Sequence, residues 1–170
     1  MINMGNEYIP LPDMEMGMNF DHAYPDRLGS ICNVLVNRTW VNGNTPIITQ
    51  AVGFQSSKVA KRRGREGKLP KGVVKIYGMH LEEASDVLTE IAAIDPGCTV
   101  NWIFNRSVIK KKRAFECAGD YVESDAINCE NSDCITNHEE GRKKYHIVSK
   151  GPPLTARCHY CEREFEIVYR

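Results

Sequence analysis

Cys129-Glu130-Asn131-Ser132-Asp133-Cys134 and, 23 residues further on, Cys158-His159-Tyr160-Cys161 decide how the last third of this chain folds. Two cysteine pairs, each on a short turn and brought together across hairpin strands, present four thiolates tetrahedrally to a zinc ion at about 2.3 Å. Four thiolates close the coordination sphere and leave no position for water, so the spacing predicts a structural Zn2+ held by Cys129, Cys134, Cys158 and Cys161, one per chain. The other three cysteines, Cys32, Cys98 and Cys117, stand apart and read as buried or half-buried thiols. His138, His146 and His159 lie near the pairs, but with four thiolates available none is needed as a ligand.

Working outward, the runs Tyr145–Ser149, Leu154–Arg157 and Phe165–Tyr169 are β-prone and surround the cysteine pairs. So short a segment has too few apolar side chains for a comfortable core of its own, and a bound metal supplies what they lack. Residues 115–125 have weak periodicity and several acids and read as a linker. Before it, Pro25 opens a helix whose apolar residues Leu28, Ile31, Cys32 and Leu35 recur at helical spacing, ending near Asn37 to Asn44, where Asn42-Gly43-Asn44 signals a turn. Pro46–Phe54 and Val73–Tyr77 read as strands separated by a polar, glycine-containing loop. Leu81, Ala84, Leu88 and Ile91 line one face of a second helix, with Glu82, Glu83, Asp86 and Glu90 placed for solvent and Asp95-Pro96-Gly97 as its stop. Thr99–Phe104 and Ser107–Ile109 read as paired strands around Asn105-Arg106. Residues 1–19 are Met-rich and broken by Pro and Gly, so they read as a loosely held arm with at most one short strand, mobile over 1–16.

The expected fold class is therefore α+β. A ferredoxin-like antiparallel sheet with helices on one face occupies residues 1–114, followed at 115–170 by a small all-β, zinc-ribbon-like domain.

Composition excludes several classes. The chain has 170 residues, of which 42% are hydrophobic and 26% charged, so it reads as globular and not as a disordered tail. No stretch approaches the roughly 18–20 apolar residues of a membrane helix. Met1–Met18 has neither a basic start nor an apolar run, so a cytoplasmic, reducing location is expected, where cysteines serve metals better than disulfides. Twenty-two basic and 22 acidic side chains cancel, so only local clusters of charge have meaning for partners.

In residue type and in all three spacings, the cysteine pattern with its flanks Ile135 and Glu162-Arg163-Glu164-Phe165 resembles the zinc domain of aspartate carbamoyltransferase regulatory chains. Asp21-His22, Val73-Val74-Lys75-Ile76, Thr99-Val100-Asn101 and Val108 to Lys111 follow that family's order in the N-terminal half. The resemblance runs from about residue 17 to the end. It implies a non-catalytic regulatory subunit in pyrimidine biosynthesis, with an allosteric domain that binds nucleoside triphosphates (CTP, ATP, UTP) and a zinc domain that docks on the catalytic chain. It further implies a homodimer formed through the N-terminal domains. Carried over by position, Asp21, His22, Lys71, Lys75, Asn101, Val108 and Lys111 match the nucleotide site. Lysines there suit a triphosphate, and Asn101 with strand backbone groups suits ribose or base.

The sequence also departs from the family. Arg106 stands where an aromatic residue is common, Ala23-Tyr24-Pro25 replaces a closer Ile-Pro, and the basic stretch Lys58, Lys61, Arg62, Arg63, Arg65, Lys68, Lys71 lies in a longer loop. Such a loop is ordinarily solvated, but it would also guide triphosphates or grip an acidic partner. Two rival readings follow: a zinc-ribbon protein that binds nucleic acid, and a relative of the regulatory chain that serves another partner. Against nucleic acid, the basic clusters lie outside the zinc domain and no aromatic residues are interleaved with them. An independent enzyme finds no nucleophile–base motif and no phosphate-cradling glycine loop.

Overall fold

A computed structural model describes residues 13–39, 47–125, 127–141 and 143–168. The strands are β1 (Met16–Ala23), β2 (Ile48–Ser56), β3 (Leu69–Tyr77), β4 (Thr99–Phe104) and β5 (Ser107–Arg113), then β6 (Tyr121–Glu123), β7 (Lys144–Ser149), β8 (Thr155–Cys158) and β9 (Glu164–Glu166). The helices are α1 (Leu28–Thr39), α2 (Ser57–Arg62) and α3 (Asp86–Ile94). The first sheet has the order β2-β3-β1-β4-β5 and the second β6-β7-β8-β9, with every pairing antiparallel. Taken as β1-α1-β2-β3-α3-β4, the first unit has the ferredoxin-like strand order, with α2 inserted and β5 added at an edge.

The central strand is the one the sequence hid. β1 starts in the stretch 1–19, read as a loose arm with at most one short strand, and runs past it to Ala23; Met18 and Phe20 are fully buried while Asn19 and Asp21 face the other way. That alternation is the period of a strand with one face on a core. Gly17 fits because a Cβ there would overlap the Ile76 carbonyl oxygen, and its φ of +151° suits glycine. The mobility expected for residues 1–16 falls mostly outside the described residues, although Met14 is buried.

Helices α1 and α3 cover one face of the sheet. Leu28, Ile31 and Leu35 from α1 and Leu88, Ile91 and Ala92 from α3 pack on Phe20, Val74, Ile76 and Val100. α3 starts later than Leu81. The Ser85 hydroxyl accepts from the Leu88 N–H at 3.4 Å, and Ala84 at φ +59° turns the chain just before it. The polar loop expected between the central strands holds α2, capped by Ser56 and anchored by buried Val59 and Ala60. β4 and β5 turn through Asn105 and Arg106, both at positive φ, as the primed hairpin turn requires.

Residues 115–125 form no free linker. A 3-10 turn at Ala114–Cys117 and strand β6 lie there, and β6 pairs with β7. Glu90, expected to face solvent, is buried against this region. Its carboxylate accepts from Arg38 of α1 through Nε and Nη2, both at 3.2 Å, and from Ser124 Oγ at 2.5 Å, while Arg38 also donates to the Glu123 carbonyl. Gly119 N–H donates to Thr89 Oγ1 at 2.8 Å, and Ala84 N–H to the Cys117 carbonyl at 2.9 Å. Apolar packing runs without a break from Leu88 and Ile91 through Ala118, Val122 and Ile127 to Tyr145, Leu154 and Phe165.

Candidate functional site

The four cysteines converge on one point. Cys129 lies in the loop after β6, Cys134 directly before a short 3-10 turn at Ile135–Asn137, Cys158 at the end of β8 and Cys161 in the turn to β9. Their sulfurs all lie within 4.8 Å of one another, with Cys129 to Cys161 at 3.5 Å and Cys134 to Cys158 at 3.7 Å. A tetrahedron of sulfurs about 2.3 Å from zinc has edges of about 3.8 Å, so the cage fits one zinc ion. Cys129, Cys134 and Cys158 are buried and Cys161 is half-buried.

Hydrogen-bond donors surround the sulfurs, against a burial that disfavours thiolates. The backbone N–H of Asn131 points at the Cys129 sulfur, those of Tyr160 and Cys161 at Cys158, and that of Arg163 at Cys161. Thr136 Oγ1 donates to Cys134 at 3.2 Å. Burial pushes the Cys129 thiol up to about 12. At Cys161 burial works in the same direction, but the Arg163 N–H and the three neighbouring thiols prevail and bring it to about 7. Crowded sulfurs that cannot all ionise alone are resolved by a dication. Asn137 braces the loop by donating to the carbonyls of Cys129 at 3.0 Å and Asn131 at 2.8 Å. Beneath it, Tyr145 is fully buried, donates to the Ile127 carbonyl at 2.8 Å and meets Phe165 edge-on. The histidines turn elsewhere: His138 to the Ser132 carbonyl, His146 and His159 to each other.

The second cluster lies on the sheet face opposite α1 and α3. One register row reads Thr49, Lys75, Asn19, Asn101, Lys111 across β2-β3-β1-β4-β5. Two residues along, about 6.7 Å away, the next row holds Asp21 and Thr99. Thus Lys75, Asn101 and Lys111 share one line, and Asp21, His22 and Lys71 gather beside it, further along β1 and β3. Lys71 Nζ meets Asp21 Oδ1 at 2.5 Å, and His22 Nδ1 lies 2.9 Å from Asp21 Oδ2. His22 occupies a bulge at φ +59°, and its carbonyl accepts from Arg62 Nη1 at 2.8 Å. Val108 stands apart, opposite Ile103 near the hairpin turn, and more than half exposed.

Three side-chain polar atoms of this cluster are buried without a hydrogen-bond partner among the described residues, Asn101 Oδ1, Thr99 Oγ1 and His22 Nδ1, the last facing the Asp21 carboxylate. Asn101 spends its amide N–H on Asn19 Oδ1, which leaves the oxygen. An orphaned buried acceptor costs roughly 1–3 kcal/mol unless something meets it. Burial lowers the His22 pKa below its ordinary value; Asp21 opposes this, while Lys71, Lys58 and Lys111 add to it. Lys75 is also lowered, by burial against the opposing pull of Asp13. Asn19 and Thr99 were absent from the sequence-based set, although each stands two residues before a member of it, the spacing of one strand face.

Part of the basic stretch is spent internally. Arg62 pairs with fully buried Asp95, Arg63 with Asp26 at 2.6 Å, and both guanidinium groups stack on the Tyr24 ring at 4.2 and 4.5 Å.

Comparison with known proteins matches both halves of the chain to one family. The family model "Aspartate carbamoyltransferase regulatory chain, allosteric domain" matches residues 11–114, and "Aspartate carbamoyltransferase regulatory chain, metal binding domain" matches residues 122–168. Among relatives named aspartate carbamoyltransferase regulatory chain, the one from Pyrococcus abyssi is 37% identical over 150 residues, 88% of each chain. That from Thermococcus sibiricus is 41% identical over 119 residues, 70% of this chain and 69% of its own. The match to that from Pyrococcus horikoshii, 38% over 107 residues, spans 63% of each chain.

Proposed function

Since this chain belongs to the aspartate carbamoyltransferase regulatory chain family and is thus a non-catalytic regulatory subunit, we propose that its helix-free sheet face binds the nucleoside triphosphates CTP, ATP and UTP. Asp21, His22, Lys71, Lys75, Asn101, Val108 and Lys111 form the site. The observation that carries the reading is the row from Lys75 to Lys111. Three inter-strand steps of about 4.8 Å separate their backbones by about 14 Å, with Asn19 and Asn101 between them on the same row. A triphosphate meets the ammonium groups, and the orphaned Asn101 oxygen accepts from a ribose hydroxyl or a base N–H.

Transmission requires two sites and two states. In this proposal residues 1–114 sense the nucleotide, while residues 115–170, stiffened by the metal, dock on the catalytic chain. α3 suits the relay: beyond its C-terminal end Asp95 holds Arg62, which binds the His22 carbonyl, and along its length Thr89 and Glu90 hold Gly119 and Ser124. Movement of the bulge at His22 then reaches the zinc unit through one rigid body. Homodimerisation through the first domain is supported by edge strand β2, where Val52 is exposed, as is Ile47 just before it. No helix among the described residues is long and apolar enough to cross a membrane, in keeping with a cytoplasmic setting.

The test is nucleotide titration of the metal-loaded protein and its Lys75→Ala and Lys111→Ala variants, with aspartate saturation measured after mixing with a catalytic chain. Each variant is expected to bind at least about tenfold more weakly, as loss of a charge-assisted contact implies. Wild-type affinity in both refutes the site.

A further inference from the structure

Beyond the residues assigned above, we infer that Lys58 on α2 forms a phosphate-tail subsite with Lys111, so that the long basic segment sets the preference for triphosphates over monophosphates. The inference rests on the nucleotide reading of the sheet face. A small pocket of about 170 Å3 opens where α2 meets the ends of β4 and β5, lined by Lys58, Thr99, Lys111, Lys112, Arg113 and Glu116. At about 30 Å3 per water it has room for five or six waters. That suits a phosphate or two and lies well below the roughly 300 Å3 at which pockets take whole organic ligands.

Its charge is one-sided. Four cations meet one carboxylate, and Glu116 already accepts the Arg113 backbone N–H at 2.5 Å. Lys112 is drawn away to Glu83 at 2.6 Å, and the Arg113 guanidinium to the Gly97 carbonyl at 2.8 Å. Lys58 and Lys111 make no ion pair among the described residues, and the Thr99 hydroxyl on the pocket wall is buried without a partner. The pocket adjoins the candidate site, since Lys111 belongs to both and Lys58 and Lys111 both act on the His22 imidazole. α2 fixes where Lys58 stands. The Ser56 cap and buried Val59 and Ala60 hold the helix, and Arg62 ties its end to Asp95.

The experiment compares inorganic triphosphate, CTP and CMP by calorimetry on the metal-loaded full chain, its Lys58→Gln variant and a Lys68→Gln control from the same segment. Lys68 is exposed and does not line the pocket. Lys58→Gln is expected to weaken CTP and inorganic triphosphate about tenfold, the value of one charge-assisted contact at its lower range, and to leave CMP unchanged; Lys68→Gln changes none. Equal loss for CTP and CMP, or no loss for either, overturns the subsite while leaving the nucleotide face standing. Binding of inorganic triphosphate with the expected Lys58 dependence, but no binding of CTP, supports the pocket and overturns the nucleotide reading. Absence of both overturns both.

Discussion

Replacing Glu90 by Ala should be the most damaging single change on α3. The Glu90 and Arg38 side chains are 9% and 14% exposed, so both charges lie largely out of water. Removing one partner of such a pair leaves the other desolvated, at a cost of about 3–5 kcal/mol. Ser124 Oγ loses its acceptor as well, while Arg38 keeps the Glu123 carbonyl and so retains part of its compensation. Taking about 4 kcal/mol, and about 2–4 °C per kcal/mol for a chain of this size, the midpoint of thermal unfolding should fall by roughly 8–16 °C. Arg38→Met combined with Glu90→Met should cost less than the sum of the single changes, because no unpaired charge remains. The assay is thermal and urea unfolding of metal-loaded protein followed by circular dichroism, across the full double-mutant cycle. A loss below about 1 kcal/mol for Glu90→Ala, or strict additivity of the pair, would refute the reasoning and make the contact an ordinary surface ion pair.

Two further outcomes follow from the sites. Cys158→Ser should abolish stoichiometric zinc and unfold the second sheet, since structural zinc contributes apparent free energies of about 10–16 kcal/mol; metal analysis beside thermal unfolding checks this, and unchanged zinc content contradicts it. His22 has a folded pKa below its ordinary value near 6.5, so its contribution to stability is intact above that value and is lost as pH falls through it. A bound triphosphate favours the imidazolium, so binding should tighten from pH 7.5 to 6 with proton uptake. Calorimetry in buffers of different ionisation enthalpy measures that uptake, and a His22→Gln variant with the same uptake assigns it elsewhere.

Legibility followed from how local each signal is. The metal cage was readable because four sulfurs on two turns need only spacing, and the β4–β5 hairpin because its turn and alternation are contiguous. α1 was readable from the repeat of Leu28, Ile31 and Leu35. β1 was not, since Gly17 and the prolines before it mimic a loose segment, and only pairing with β3 and β4 shows that Gly17 is there for clearance. α2 was masked by its charge: two small buried residues, Val59 and Ala60, hold a helix that looks wholly solvated in sequence. Glu90 follows the same lesson from the other side, because an acid on a helix is ordinarily exposed and nothing nearby in sequence announces Arg38 or Ser124. The residues proposed for the nucleotide carried a positional pattern from a family, whereas Asn19 and Thr99 required the register between strands.

The unbroken apolar packing from α3 to the second sheet bears on how the molecule comes apart. Two units with separate interiors would melt in two steps, the metal-poor one first. Here Ile91, Val122, Ile127 and Tyr145 belong to one apolar cluster, so withdrawing the ion strips cover from the helix that the first sheet also needs. Chelation should therefore broaden or lower the melting of the whole chain, and a cell short of zinc would lose the first sheet's unit together with the second.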